Sequence, residues 1–385
     1  MKIDKMKKLS VCFVLMFLSF FCSCIARERY ENVVTGRAPQ HSKEAKRVLK
    51  TLRKAARQNA PFLGHQDALM YGQNWRLKEN DALYEQSDVY DVCGQYPYLL
   101  GLDLGRIERG GDRNIDNCLF RQMKEAAIKH YNRGGQVTIS WHMDNPVSDS
   151  TAWDRKAGNV VQKILYDSLI HKKYICWLDK GAAFMNHLVD KKGKKIPILF
   201  RPFHECNIES FWWSKKSCSE DEYRALWRMT YEYLVNEKDM KQLLWVFSPY
   251  NVHTESDISS WYPGDEFVDV IGFERYLSNS RTYEEGIGIF IEDVKKGLDV
   301  TVKFAKSRAK IVAFTETGYQ GIPYDNWWTE GLWESIKNKP IAYVHLWRNG
   351  LSKSYYYGPC PASGSTMDFK VLLRTSKIRL LKIKK

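Results

Sequence analysis

Eight short apolar runs separated by amphipathic stretches constrain this chain more than any other feature. They are PFLGHQD (61–67), YPYLLGLDLG (96–105), GQVTISWHM (135–143), IPILFRPFHE (196–205), QLLWVFSP (242–249), VDVIGFERY (268–276), KIVAFTETG (310–318) and PIAYVHLWRN (340–349). Most begin with several unbroken apolar residues, the pattern of strands buried on both faces of a parallel sheet. Helix-like segments lie between them, among them 117–134 and 284–307. Ahead of the first run, residues 42–58 place Val48, Leu49, Leu52, Ala55 and Ala56 on one helical face. Eight strand–helix units predict an α/β chain closed into a (β/α)8 TIM barrel rather than an open sheet. No Pro/Ser/Gly tract, low-complexity run or repeat interrupts residues 30–370, so residues 25–385 are expected to form one domain.

The ends of these runs carry the chemistry. Almost every run turns polar or aromatic at its C-terminal end: His65-Gln66-Asp67, Asp103, Trp141-His142, His204-Glu205, Tyr276, Glu316 and Trp347-Arg348. Barrel enzymes place their catalytic groups there. Glu205 ends the fourth strand and Glu316 the seventh, and in a closed barrel these strands face each other across the mouth. A retaining glycosidase needs such a pair, about 5–5.5 Å apart: one carboxyl group protonates the leaving oxygen and the other attacks the anomeric carbon. Glu205 is the expected general acid and then base, its pKa raised by neighbouring aromatics. Glu316 is the expected nucleophile, which needs hydrogen-bond donors such as Tyr276 to stay ionised. The 13 Trp and 22 Tyr fit a groove that stacks sugar rings, although nucleobases would also stack.

Residues 1–24 read as a leader. MKIDKMKK is a basic start, LSVCFVLMFLSFF an apolar stretch, and CSC a weakly polar end. The pattern is that of a bacterial-type export signal, short for a membrane span. Cys24 after Ser23 resembles a lipoprotein cleavage site, with Phe21 where Leu is usual. Lipid attachment at Cys24 is expected, which would anchor the exported protein to a membrane at the periplasm or cell surface; ordinary cleavage and release is the alternative. The leader contributes +3 of the formal net charge of +14. Much of the remaining excess sits in FKVLLRTSKIRLLKIKK, which reads as a solvated terminus or a closing helix. Six cysteines follow the leader without a CxxC motif, so disulfide pairing stays open.

RPFHE…FWW (201–213), TETGYQGIPYDNWW (315–328) and YVHLWRNG (343–350), with FLGHQD (62–67) and SWHMDNP (140–146), resemble glycoside hydrolase family 26, chiefly endo-β-1,4-mannanases. The likeness runs from about residue 40 to 375. It implies a (β/α)8 catalytic domain that hydrolyses mannan, galactomannan or glucomannan with retention. By it, Glu205 is the acid/base, Glu316 the nucleophile, and Tyr276 orients Glu316. His142 and His204 contact the sugar nearest the cleavage point, and Trp347 is a stacking platform. The family usually has Gly and Trp where this chain has Ile208 and Ser210, so Phe211, Trp212 or Trp213 would have to line the leaving side. Glu274 stands where Asp is common.

Other readings remain open at this level. The family also holds β-1,3-xylanases and mixed-linkage glucanases, and a glycan-binding barrel without activity is a further class. Retention of both Glu205 and Glu316 argues against the last. No helix-turn-helix or phosphate-cradling Gly loop suggests nucleic acid as a partner. No cofactor or metal is expected, because His65, His142 and His204 lie on different strands without ligand spacing. A monomer is expected.

Overall fold

The computed structural model describes residues 40–382, apart from 82, 280, 281 and 353. The leader and Cys24 lie outside the described residues. All eight expected strands form: β1 (Phe62–Gln66), β2 (Leu99–Asp103), β3 (Gln136–Ser140), β4 (Ile198–Arg201), β5 (Leu243–Phe247), β6 (Val270–Leu277), β7 (Ile311–Tyr319) and β8 (Tyr343–Leu346). Each runs parallel to its neighbour in the chain, and β1 pairs with both β2 and β8, which closes the sheet. Strands such as ILFR and LLWVF are buried at every position, as a sheet covered on both faces requires. Crossover helices supply the outer layer, the longest being Tyr283–Lys306.

Helix α1 (Lys43–Arg57) closes the N-terminal end of the barrel. Ser42 caps it by accepting a bond from the Ala45 amide at 3.1 Å, and its apolar stripe faces inward. That stripe packs on the first residues of the strands, including Phe62, Leu99, Leu244 and Ile311. The C-terminal segment closes the same end from one side. Helix α2 (Thr366–Thr375) buries Phe369 and Leu372, and Arg379 then bridges to Phe62 of β1. The six described cysteines are all unpaired.

One irregularity positions the site. Along β6 and β7, Phe273 pairs with Phe314 but Glu274 pairs with Glu316, so Thr315 is the extra residue of a bulge. Strict alternation would send adjacent side chains to opposite faces. Here Thr315 meets Ser248 at 2.5 Å and Glu316 meets Arg201, and both of those partners also bond Glu274. The bulge therefore delivers two consecutive β7 side chains to one polar cluster.

Candidate active site

Glu205, Glu274 and Glu316 converge at the C-terminal mouth, each offering an oxygen within 4.8 Å of the others. Arg201, ending β4 and only 3% exposed, bonds both Glu274 and Glu316 and is the cation of the cluster. Its charge is secured because the two carboxylates outweigh the burial that would otherwise lower its pKa. Tyr276 at the end of β6 donates its hydroxyl hydrogen to the second oxygen of Glu316 at 2.6 Å. Glu316 thus accepts two strong bonds from inside the barrel, the support that an attacking carboxylate needs.

Glu205 has a different environment. Burial first, and the charge of Glu316 second, raise its pKa to about 7 against the opposing pull of Arg201 and His142. Its backbone is left-handed (φ 54°), as is that of Phe203 (φ 50°), which costs energy in residues with a Cβ. Three bonds hold this turn: the Glu205 amide to the Ser248 carbonyl at 2.8 Å, the Tyr223 hydroxyl to the Phe203 carbonyl at 2.9 Å, and the Trp213 indole to the His204 carbonyl at 2.9 Å. Glu274 is fully buried, and burial drives its pKa well above the usual carboxylate range, with Glu316 and Glu205 adding to the effect against Arg201.

The two histidines lie side by side, ring centres 4.7 Å apart and edge to face. Asp103 fixes His142 through a 2.8 Å bond to Nδ1 and is itself held by Ser140 at 2.6 Å and the Gly105 amide at 2.7 Å. Burial alone would lower the His142 pKa, but the Asp103 carboxylate outweighs it and the net shift is upward. His204 goes the other way. Burial, then Arg201 and His142, push its pKa well below the ordinary value, so it stays neutral.

Among the expected aromatic contacts, Trp347 stands 6.2 Å from His142 and remains partly exposed. Trp212 and Trp213 are corrected. Both are completely buried, and their indole N–H groups are spent on the carbonyls of Met143 and His204 at 2.9 Å. They brace the loops carrying His142 and Glu205 and offer no face to a sugar. Phe211 comes nearer, packing on Trp213 at 4.5 Å and reaching both histidines. Ile208 keeps an ordinary φ, so its position does not require glycine.

Sequence reasoning missed Arg201 and Trp153. Arg201 could have been found, since an arginine ending an all-apolar strand needs buried anions. Trp153 gave no such signal. Its ring stacks on His142 at 5.3 Å and 21°, yet it is 50% exposed and lines an open cavity of about 960 Å³ with Ser148, Thr151 and Arg155.

Two carboxylates facing each other at the mouth of a (β/α)8 barrel, one kept protonatable and one braced by donors, form the constellation of a glycoside hydrolase. The chain belongs to glycosyl hydrolase family 26, whose model matches residues 37–348. It is 30% identical over 336 residues to a mannan endo-1,4-beta-mannosidase of Bifidobacterium adolescentis, covering 80% of this chain and 32% of that protein. A mannan endo-1,4-beta-mannosidase of Bacillus subtilis is 28% identical over 52% of this chain and 56% of its own. The matches therefore span about a third and about half of these two relatives. The structure of a GH26 beta-mannanase from Bacteroides ovatus superposes with a TM-score of 0.82 and 35% identity, over 88% of this chain and 95% of that one.

Proposed function

We propose that this protein hydrolyses β-1,4-mannosidic linkages within mannan, galactomannan or glucomannan with retention of configuration. Glu205 protonates the leaving oxygen and Glu316 attacks the anomeric carbon, giving a glycosyl-enzyme. Glu205, now a carboxylate, then takes a proton from the water that releases the sugar. Tyr276 and Arg201 orient Glu316, His142 and His204 contact the sugar at the cleavage point, and Trp347 and Trp153 stack on neighbouring rings. The observation that carries this reading is the approach of the Glu205 and Glu316 oxygens to within 4.8 Å. An inverting pair stands about 6.5–9.5 Å apart to admit a water.

The substrate rests on the named activity of the relatives, and the test is a product profile on mannan, glucomannan, β-1,3-xylan and mixed-linkage glucan. Release of manno-oligosaccharides supports the reading, and preference for either other glycan overturns the substrate. Glu205→Ala should lose unactivated mannan but keep glycosylation by a substrate with an activated leaving group, and Glu316→Ala should lose both.

We also propose export and lipid anchoring at Cys24, supported by the leader's sequence. Mass spectrometry of the N-terminus should find diacylglycerol on Cys24, and an unmodified terminus starting elsewhere would refute it.

A further inference from the structure

The outer face of α1 is a stripe of positive charge at the end of the barrel opposite the carboxylates. Lys43, Lys46, Lys50, Arg53, Lys54 and Arg57 recur at helical spacing, all exposed. The helix contains one acid, Glu44, which is taken by Lys194 at 2.9 Å and approached by Arg47 at 3.9 Å. Among the described residues the six cations have no carboxylate partner, so their charge is uncompensated within the fold. The same face widens on both sides. The turn at 191–195 adds four exposed lysines and touches α1 through Lys194, while Lys377 and Lys382 flank the strip that runs beneath β1.

A lone basic stripe is commonly a solvated surface, and its position decides otherwise here. The inner side of α1 packs on the starts of the strands, so its basic side points directly away from the cleft. The 39 residues ahead of the described chain, with their apolar run, enter at residue 40, immediately before this helix. The leader therefore joins the described chain beside this helix, at the end of the barrel opposite the cleft.

We propose that the α1 face lies on a bilayer of anionic phospholipid, which turns the barrel mouth outward toward polymeric substrate. Cations near such a surface gain from its negative potential within a Debye length, and added salt removes the gain. The contact does not depend on acylation of Cys24 or on the identity of the glycan. It sets the orientation of the barrel on that surface through the folded domain itself.

The test uses residues 25–385, which hold the whole closed barrel and carry neither Cys24 nor the basic and apolar residues of the leader, in co-sedimentation with vesicles. Vesicles of phosphatidylcholine alone are compared with vesicles about one-third phosphatidylglycerol, at low and high salt. Binding should be about tenfold stronger to the anionic vesicles and fall to the neutral level at high salt. In the same background, Gln at all six positions should abolish the preference while hydrolysis of soluble manno-oligosaccharide stays unchanged. If that variant folds poorly, Lys50→Gln with Arg53→Gln and Lys54→Gln should weaken the preference in part. Equal binding to both vesicles, a preference that survives the Gln substitutions, or binding to duplex DNA without any vesicle preference would overturn the proposal.

Discussion

The hydroxyl group of Tyr276 donates to Glu316 at 2.6 Å, across the β6–β7 seam that the Thr315 bulge brings into register. A bond to a charged group is worth about 1.5–3 kcal/mol. Tyr276→Phe should therefore lower kcat/KM on manno-oligosaccharides roughly ten- to a hundredfold with little change in Tm. A loss of Tm with kcat/KM intact would assign Tyr276 to packing instead.

The pKa of Glu205, raised to about 7, makes a stability prediction with a definite sign. The folded state binds the proton more tightly than the unfolded chain, so the ionised carboxylate opposes folding increasingly as pH rises from the unfolded value through 7. Glu205→Gln removes that opposition. Denaturant unfolding should show the variant more stable than the parent by about 1–3 kcal/mol at pH 8, with the difference vanishing near pH 4. A variant no more stable at pH 8 would mean that Glu205 is not so burdened.

The buried and exposed tryptophans should separate cleanly. Trp153→Ala removes a half-exposed ring and should weaken oligosaccharide binding by about 1–3 kcal/mol, by analogy with base–aromatic stacking, leaving stability nearly unchanged. Trp213→Ala empties a fully buried site beneath the strained turn and should cost about 3–5 kcal/mol in unfolding free energy. Calorimetric titration with manno-oligosaccharides on inactive Glu316→Ala backgrounds, alongside chemical unfolding, checks both. The reverse pattern would mean that the Trp213 ring reaches substrate.

The barrel was legible because each strand must be apolar on both faces and each ends where its polar groups begin. The histidines, Tyr276 and the two glutamates followed from that rule, and all of them reach one mouth. Trp212 and Trp213 were misplaced because FWW looks the same whether its indoles face sugar or carbonyls. Only the hydrogen bonds to Met143 and His204 distinguish the cases. The proximity of Glu274 to Glu316 depends on a one-residue bulge, which no periodicity reveals. Trp153 lay in a loop after β3 where nothing repeats, and its stacking on His142 is a matter of tertiary geometry.

The central claim is double displacement between Glu205 and Glu316, and the anomer first released tests it most directly. Proton NMR of manno-oligosaccharide hydrolysis, recorded before mutarotation, should show the β-anomer of the newly formed reducing end appearing first. The α-anomer appearing first would establish inversion and contradict the assignment of Glu316 as nucleophile.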